Sequence, residues 1–255
     1  PNHPAMLSKS LIRLITSLQH KKFRRQHGLF CVEGIKSILE FVDSAYVVDT
    51  ILATPSAAAK LNKIPENIKL VPVNEEELKK VSFLTNPQGA LALVKIPSSD
   101  DITTTDLRGK HSLVLDDVQD PGNLGTIVRT AEWFGFQQVI ASLDTVDVYN
   151  PKVVQATMGS LARMQVIYTD IETLIQDPAI PSYGALLEGE SIYGTDFKQE
   201  GLIILGNEGN GIRPTLLPHI TQAVTIPAFG KAESLNVAVA ATVFCSEIAR
   251  RKQTL

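Results

Sequence analysis

Short apolar runs recur along the chain, and their spacing alternates between the period of strands and that of helices. In the N-terminal part they predict strands at 29–32, 46–53, 69–73 and 90–96. They predict helices at 7–19, 35–42, 57–61 and 75–81, with a basic stretch left unassigned before residue 29. Residues 97–106 are polar, β-branched or turn-forming without a period, which is typical of a linker. We therefore predict a small α/β domain over 6–96 and a linker over 97–111.

The remainder of the chain, residues 112–255, is predicted to be a second domain. Strands are predicted at 112–115, 138–142, 165–168, 183–187 and 202–205, and helices after residue 120 and at 152–161, 171–176 and 235–249. Strands that alternate with helices are typical of a mostly parallel sheet. The last helix is apolar on nearly every side, so we expect it to be covered all round, partly by a second subunit.

Positive charge is concentrated near the start of the sequence. The whole chain of 255 residues has a formal net charge of −3, which gives no overall attraction to nucleic acid. Residues 1–30 nevertheless contain six Lys or Arg residues and no acidic residue. Lys21, Lys22, Arg24 and Arg25 surround Phe23, and two interpretations stay open: a solvated surface, or a contact with nucleic acid.

Several protein classes are disfavoured by what the sequence lacks. Cys31 and Cys245 lie inside apolar runs, and no CxxC or clustered His is present, so we expect neither a disulfide framework nor a metal site. No apolar stretch approaches the roughly 18 residues that span a bilayer, which favours a soluble, cytoplasmic protein without a membrane partner. Residues 1–5 precede Met6, a natural start, and we expect them to be an appended remnant.

Three polar segments with glycines lie beside apolar runs in the second half: residues 117–129, 205–211 and 233–238. Loops at strand ends of an α/β sheet are where ligands bind, and glycines let the backbone approach a ligand. The glycines at 206, 209 and 211 match neither GxGxxG nor a P-loop, so NAD and nucleoside triphosphates are disfavoured. No GxSxG or His–Cys pair is visible, so hydrolases are disfavoured too.

Structural explanations also stand for single residues. Asn123 would suit a helix cap, residues 206–211 a tight turn with positive φ, and Ser234 the N-cap of the last helix. Asn236, one turn inside that predicted helix, would be costly without a partner. Arg129 lies off the apolar stripe of its helix and near its N-terminus, where backbone amides favour an anion such as phosphate.

Together these segments resemble the SpoU (TrmH-like) RNA 2'-O-ribose methyltransferases of the SPOUT superfamily. The family's three motifs are matched in order by residues 120–131, by 205–212, and by 226–227 with 234–237. Residues 150–159 also look like a family segment, and the resemblance extends over about 112–252. Residues 6–96 are more loosely similar to the family's ribosomal-protein-like RNA-binding domain. Ala238 stands where many members have Ser, and Gln155 where a basic residue is common, which would alter the grip on RNA.

The resemblance implies a fold and a cofactor. It implies a mostly parallel C-terminal sheet with a deep trefoil knot, and a small N-terminal α/β domain that binds the RNA substrate. It implies S-adenosylmethionine in a bent form, with main-chain contacts from Gly206, Ile226 and Leu235 and further contacts from Glu208 and Leu187. It also implies a homodimer built partly on the last helix, and no metal.

The activity implied is methylation of a ribose 2'-OH in structured RNA. By similarity Arg129 is the key residue, with Asn123, Glu208, Ser234 and Asn236 assisting, and RNA enters from the domain that contains Lys21, Lys22, Arg24 and Arg25. Arg is a poor base, so we favour a phosphate clamp and alkoxide stabiliser over a base. Ribosomal RNA is preferred over transfer RNA. The alternatives are a transfer RNA enzyme, a non-catalytic RNA-binding protein with the same fold, and a base methyltransferase.

Overall fold

The computed structural model describes residues 7–98 and 102–253. The expected remnant at 1–5, Met6 and residues 99–101 of the predicted linker lie outside the described residues. The chain divides into two compact units, one formed by residues 1–98 with 147–163 and the other by 99–146 with 164–255.

The first unit is built around a four-stranded mixed sheet. Before the linker the elements are α1 (Lys9–Ser17), α2 (Lys21–His27), β1 (Leu29–Glu33), α3 (Ile35–Val42), β2 (Val48–Ala53), α4 (Pro55–Lys60), β3 (Lys69–Pro72), α5 (Glu75–Val81) and β4 (Ala90–Lys95). In the order β1-β4-β2-β3, β4 pairs antiparallel with β1 and β2, while β2 and β3 are parallel. The predicted elements are confirmed, and the basic stretch that the apolar pattern leaves unassigned is helix α2.

The second unit is built around a six-stranded sheet. Helix α6 (Thr104–Leu107) lies inside the predicted linker, and helix α8 (Pro151–Ala156) belongs to the first unit. The other elements are β5 (His111–Leu115), α7 (Pro121–Trp133), β6 (Gln138–Ser142), β7 (Gln165–Thr169), α9 (Ile171–Ile175), β8 (Ser182–Ser191), β9 (Gly201–Leu205), β10 (Gln222–Thr225) and α10 (Val237–Lys252). The strand order is β10-β8-β9-β5-β6-β7, and every neighbouring pair is parallel. The predicted parallel sheet is confirmed; α6 and β10 were not predicted, and the trefoil knot stays a prediction.

Burial explains why the central strands form continuous apolar runs. All five residues of β5, β6 and β9 are buried, as expected for parallel strands covered on both faces. Val114, Ile140 and Ile204 belong to one core cluster. The chain leaves the carboxyl end of β5 at residue 116, directly before the first polar segment, and that of neighbouring β9 at residue 206, inside the second. Ligand sites of α/β sheets lie at this edge.

Helix α10 begins and ends later than the apolar pattern predicts, at Val237 and Lys252. It buries Ala241, Phe244 and Cys245, whereas about half of the Val239 side chain is exposed. Within this chain the helix is therefore not covered all round. Covering by a second subunit stays a prediction.

Arg24 is buried within the first unit, with 2% of its surface exposed. Its Nη2 and Nε lie 2.8 Å and 3.1 Å from Oδ2 of Asp147, and its Nη1 donates to the carbonyl oxygens of Leu18 and Gln19 at 3.0 Å and 2.9 Å. A buried guanidinium requires such partners, because burying an unpaired charge is costly. Arg24 is thus a structural residue, which corrects its predicted place among the RNA-contacting cations.

Residues 147–163 pack within this first unit, although the predicted boundaries assign them to the C-terminal domain. Helix α8 packs on β1, and the ring of Tyr149 lies 4.5 Å from that of Phe30, centroid to centroid. The hydroxyl groups of Tyr149 and Tyr46 are 3.2 Å apart. The domain boundaries themselves stay a prediction.

Replacing Asp147 with Asn should destabilise the first unit, because it removes the counter-charge of buried Arg24. We expect the free energy of unfolding to fall by about 3 kcal/mol or more, as for other broken buried ion pairs. Urea unfolding followed by hydrogen–deuterium exchange of the first unit measures the effect. The control is Glu40→Gln, which breaks a partly exposed ion pair with Arg163 in the same unit. Equal effects of the two substitutions would contradict a structural role for Arg24.

Candidate functional site

A cavity of about 880 Å³ lies in the second unit, at the ends of β8, β9 and β10 and the start of α10. Its volume falls within the range of about 300–1,000 Å³ that ligand pockets occupy. The lining includes all five residues that the resemblance assigns to the cofactor, together with Ser234: Leu187, Gly206, Glu208, Ile226, Ser234 and Leu235. The structure thus brings together residues that span almost 50 positions of the sequence around one space.

Hydrogen bonds join the three motifs. The Nδ2 of Asn236 donates to Oδ1 of Asn123 at 3.0 Å, which connects the third motif to the first. The carboxylate of Glu208 accepts from the backbone N–H groups of Gln119 and Asp120, with shortest distances of 3.1 Å and 2.9 Å. The first motif therefore contacts both of the others: Asn123 contacts Asn236 of the third, and the N–H of Asp120 contacts Glu208 of the second.

The pKa of Glu208 lies below its usual value. Partial burial raises the pKa, but the hydrogen bonds from the backbone of Asp120 and Gln119 and from the Asn123 side chain outweigh it. Glu208 is consequently ionised at neutral pH and its oxygens are already occupied as acceptors. A carboxylate of this kind is a weak proton acceptor, so its geometry suits positioning of the loop better than general base catalysis.

The two helix caps at the site differ from those that the sequence suggests. Asp120 is the N-cap of α7 and accepts from the N–H of Asn123 at 2.8 Å, so Asn123 is not the cap and its side chain is left to make the contacts above. Asn236 is the N-cap of α10 and accepts from Ala238 and Val239 at 2.8 Å and 3.3 Å. Ser234 is therefore not the cap, and Asn236 does not lie one turn inside the helix.

Gly206 is required because the loop returns onto it. Asn207 and Gly211 pair as an antiparallel bridge, and a Cβ added at Gly206 would lie 2.1 Å from the carbonyl carbon of Gly211. Gly211 has a φ of +66°, so positive φ explains this glycine but not Gly206. The Nδ2 of Asn207 donates to the carbonyl oxygen of Asp117 at 2.7 Å, which binds this loop to the end of β5.

Arg213 is a contributor to the site architecture that the sequence analysis did not identify. Its Nε lies 2.6 Å from Oδ1 of buried Asp116, and its Nη2 lies 2.7 Å from Oδ2 of Asp144. The hydrogen bond with Asp144 is the main reason that the pKa of Arg213 is raised. The three residues line a second, smaller cavity and hold the end of the 206–211 loop against β5. Nothing local in the sequence signals these pairs, because their partners lie 69 and 97 residues away.

Arg129 is exposed on α7 and does not line the cavity. Within the part of the chain that the structure describes, its guanidinium has no hydrogen bond or ion pair with another side chain or carbonyl. Asn123 and Asn236 do not line the cavity either. The side chain of Arg129 thus remains available for a partner outside the chain.

In the first unit, Lys22 and Arg25 are exposed on α2 and Lys21 is half-buried. The Nζ of Lys22 lies 5.7 Å from the ring centroid of Phe23. Of the four predicted RNA-contacting cations, three thus keep accessible charge and Arg24 does not.

Over residues 7–98 and 102–253, no helix combines the length and apolar character that crossing a membrane requires. The same described residues hold no group of three or more His, Cys, Asp and Glu side chains placed to bind a metal ion.

Comparison with known families shows which family the chain belongs to. Residues 110–246 match the SpoU rRNA methylase family, and residues 9–92 match the MRM3-like substrate binding domain. The chain belongs to the SpoU rRNA methylase family. The SpoU motifs that contain Asn123, Glu208 and Asn236 are those that the hydrogen bonds at the start of α7 connect.

Relatives within the SpoU family extend the match over most of the chain. The 23S rRNA (guanosine(2553)-2'-O)-methyltransferase RlmP of Bacillus subtilis is 30% identical over 230 residues, which cover 89% of this chain and 90% of that protein. The mitochondrial rRNA methyltransferase 3 of Xenopus laevis is 33% identical over 183 residues, 69% of this chain but 42% of that protein. This chain therefore spans less than half of the Xenopus relative.

Solved structures of SpoU-type proteins share the fold. An RNA methyltransferase of the TrmH family from Porphyromonas gingivalis superposes with a TM-score of 0.88 at 37% identity, covering 97% of this chain and 100% of that one. The AdoMet-bound rRNA methyltransferase from Sinorhizobium meliloti superposes with a TM-score of 0.85 at 28% identity, covering 98% and 97%.

Replacing Gly206 with Ala should weaken binding of S-adenosylmethionine, the ligand that the SpoU resemblance implies. The added Cβ would collide with the backbone of Gly211 and displace the loop, and we expect the dissociation constant to rise about tenfold or more. Isothermal titration calorimetry measures it. Gly194→Ala is the matched control, because a Cβ there meets its nearest atoms at 3.9 Å. Unchanged affinity in Gly206→Ala would show that this loop does not hold the cofactor.

Proposed function

We propose that this chain methylates the 2'-OH of a ribose in ribosomal RNA, with S-adenosylmethionine as the methyl donor. The observation that carries the proposal is a pair of hydrogen bonds, from Asn236 to Asn123 and from the N–H of Asp120 to Glu208, which unites the three SpoU motifs beside one cavity. Membership of the SpoU family supports it, as do relatives whose names specify 2'-O-methylation of 23S rRNA. The cytoplasmic location expected from the sequence forms part of the proposal.

The lining of the cavity suits the chemistry of the cofactor. Its lining combines apolar side chains, such as Leu187 and Leu235, with backbone groups of the 206–211 loop, which Gly206 allows to lie close. Glu188, Glu208 and Glu233 also line it and would complement the positive charge of a sulfonium. Gly206, Ile226 and Leu235 are proposed to hold S-adenosylmethionine through the main chain. The cofactor supplies an electrophilic methyl carbon when bound.

The protein's part in the reaction is to position the hydroxyl group and make its ionisation easier. A ribose 2'-OH holds its proton tightly in water, so alignment with the methyl group contributes much of the catalysis. Arg129 is proposed to bind the phosphate beside the target ribose and to stabilise the developing alkoxide. Its pKa, above about 12, makes it a poor base. Glu208 and the Asn123–Asn236 pair position the surrounding loops, and Ser234 offers a hydroxyl at the cavity wall.

A second copy of the chain is proposed to pack against α7 and α10. These helices contact each other, and they leave Trp133 largely exposed and Val239 about half exposed to solvent. Covering both side chains in a homodimer would bury apolar surface that this chain alone leaves in water.

The direct test is incubation of the protein with methyl-labelled S-adenosylmethionine and an unmodified large-subunit ribosomal RNA transcript, followed by nucleoside analysis. Label in a 2'-O-methylnucleoside is the expected result. Label on a base would show a base methyltransferase, and label in transfer RNA alone would name a different substrate. Absence of label despite bound cofactor would favour the non-catalytic RNA-binding alternative.

Arg129→Ala should lower the rate of methyl transfer by about 100-fold or more, because it removes charge stabilisation from the transition state. The affinity for S-adenosylmethionine should stay within about twofold, since Arg129 does not line the cavity. Arg108→Ala, which removes another exposed arginine from the same unit, is the control. A large loss of cofactor affinity in Arg129→Ala would overturn the assigned role.

Changing Lys21, Lys22 and Arg25 together to Gln should weaken RNA binding and reduce its dependence on salt. Removing one cation that binds a phosphate in the wild type should reduce the magnitude of the negative slope of log K against log salt by about 0.7–0.9. Filter binding at several salt concentrations measures this slope. The matched control changes three exposed lysines of the same unit, Lys60, Lys79 and Lys80, to Gln. The same slope in both variants would show that the cluster on α2 has no special contact with RNA.

A further inference from the structure

Phe229 is the most exposed large apolar side chain among the residues that the structure describes, with 97% of its surface accessible. Burial of a phenyl ring stabilises a protein, and the ring has no polar atom that would gain from water. We therefore expect a ligand to cover the exposed ring of Phe229.

The ring belongs to the wall of the candidate active site. Phe229 lies in the connection between β10 and α10. It lines the cavity, as do Ile226 and Ser234 of the same connection. Because nearly all of its side chain is exposed, the ring lies at the mouth of the cavity and not between its walls. Leu187 and Leu235 line the same cavity and are also exposed, so the mouth has an apolar rim.

The surroundings leave the ring free to receive a flat partner. A Cβ added at the next residue, Gly230, would meet no atom within 4 Å, so the loop is open on that side. Lys231, two residues after Phe229, is exposed and carries a positive charge. An aromatic face beside a positive charge is the combination with which proteins hold single-stranded nucleic acid.

We propose that Phe229 stacks on the base of the target nucleotide and so holds its ribose at the mouth of the cavity. The proposal rests on the proposed function and adds a substrate-positioning residue to it. RNA bases that leave a helix or loop expose both faces, and aromatic side chains bind them by stacking. Since every base has such a face, this contact contributes affinity and alignment, while the choice of nucleotide must come from elsewhere. Lys231 would bind a phosphate next to the stacked base.

The test compares Phe229→Ala, Phe229→Trp and the wild-type protein in three measurements. Filter binding gives the affinity for an unmodified large-subunit ribosomal RNA transcript, methyl transfer gives kcat and KM for the same RNA, and calorimetry gives the affinity for S-adenosylmethionine. In Phe229→Ala we expect RNA affinity and kcat/KM to fall about tenfold, within the range known for the loss of one stacked base. Phe229→Trp should retain both within about twofold, because indole also stacks. Cofactor affinity should not change in either variant.

Tyr193→Ala is the matched control, because Tyr193 is another exposed aromatic residue of the same unit and does not line the cavity. It should behave as the wild type does. Wild-type RNA affinity and KM in Phe229→Ala would overturn the proposal. So would a loss of cofactor affinity alone, which would place the ring on the cofactor, or a change of oligomeric state in sedimentation, which would place it between two copies. If the wild type transfers no methyl group, the proposed function fails, whereas the binding comparison still decides whether Phe229 stacks on RNA.

Discussion

The start of α7 is the point at which the three SpoU motifs meet, and the candidate site depends on it. The Oδ1 of Asn123 accepts from Asn236 at 3.0 Å, and the N–H of Asp120 donates to the carboxylate of Glu208 at 2.9 Å. Glu208 in turn binds the backbone of residues 119 and 120, so a closed set of contacts spans the starts of α7 and α10 and the loop after β9. These contacts are exposed, so water can replace a lost partner, and we infer that their main contribution is to hold the three segments in one arrangement.

The parallel sheet makes these contacts possible, and the glycines make them tight. Buried strands β5 and β9 end side by side, which brings the first two motifs together without any contribution from the polar residues. The return of the chain onto Gly206 and the ion pairs of Arg213 with Asp116 and Asp144 then fix the second loop. A fixed loop can present backbone groups to a cofactor without a reorganisation cost, which is the advantage that preorganised sites have in catalysis. Arg129 and Phe229, both exposed, are left to meet the RNA.

Much of the fold could be predicted from the sequence, because buried parallel strands are apolar runs and amphipathic helices show their period. Helix α2 was not predicted because charged residues dominate it. Gly28 at its C-cap and the ion pair of Arg24 with distant Asp147 stabilise it. Because this pairing is not visible in the sequence, Arg24 was wrongly predicted to contact RNA. Strand β10 has four residues and one buried position, too little for a pattern. At the site, the sequence offered Asn123 and Ser234 as helix caps, whereas the N-caps in the structure are Asp120 and Asn236. The role of Arg213 depended on distant carboxylates that no local motif reveals.

We propose that three separate segments of the second unit form one cofactor site. Hydrogen–deuterium exchange with and without saturating S-adenosylmethionine is the sharpest test, since exchange reports the opening of backbone hydrogen bonds segment by segment. We expect the cofactor to protect residues 185–188, 205–212 and 224–237 together, while residues 7–98 are unaffected. Protection confined to one of these segments, or found mainly elsewhere in the chain, would contradict the proposal.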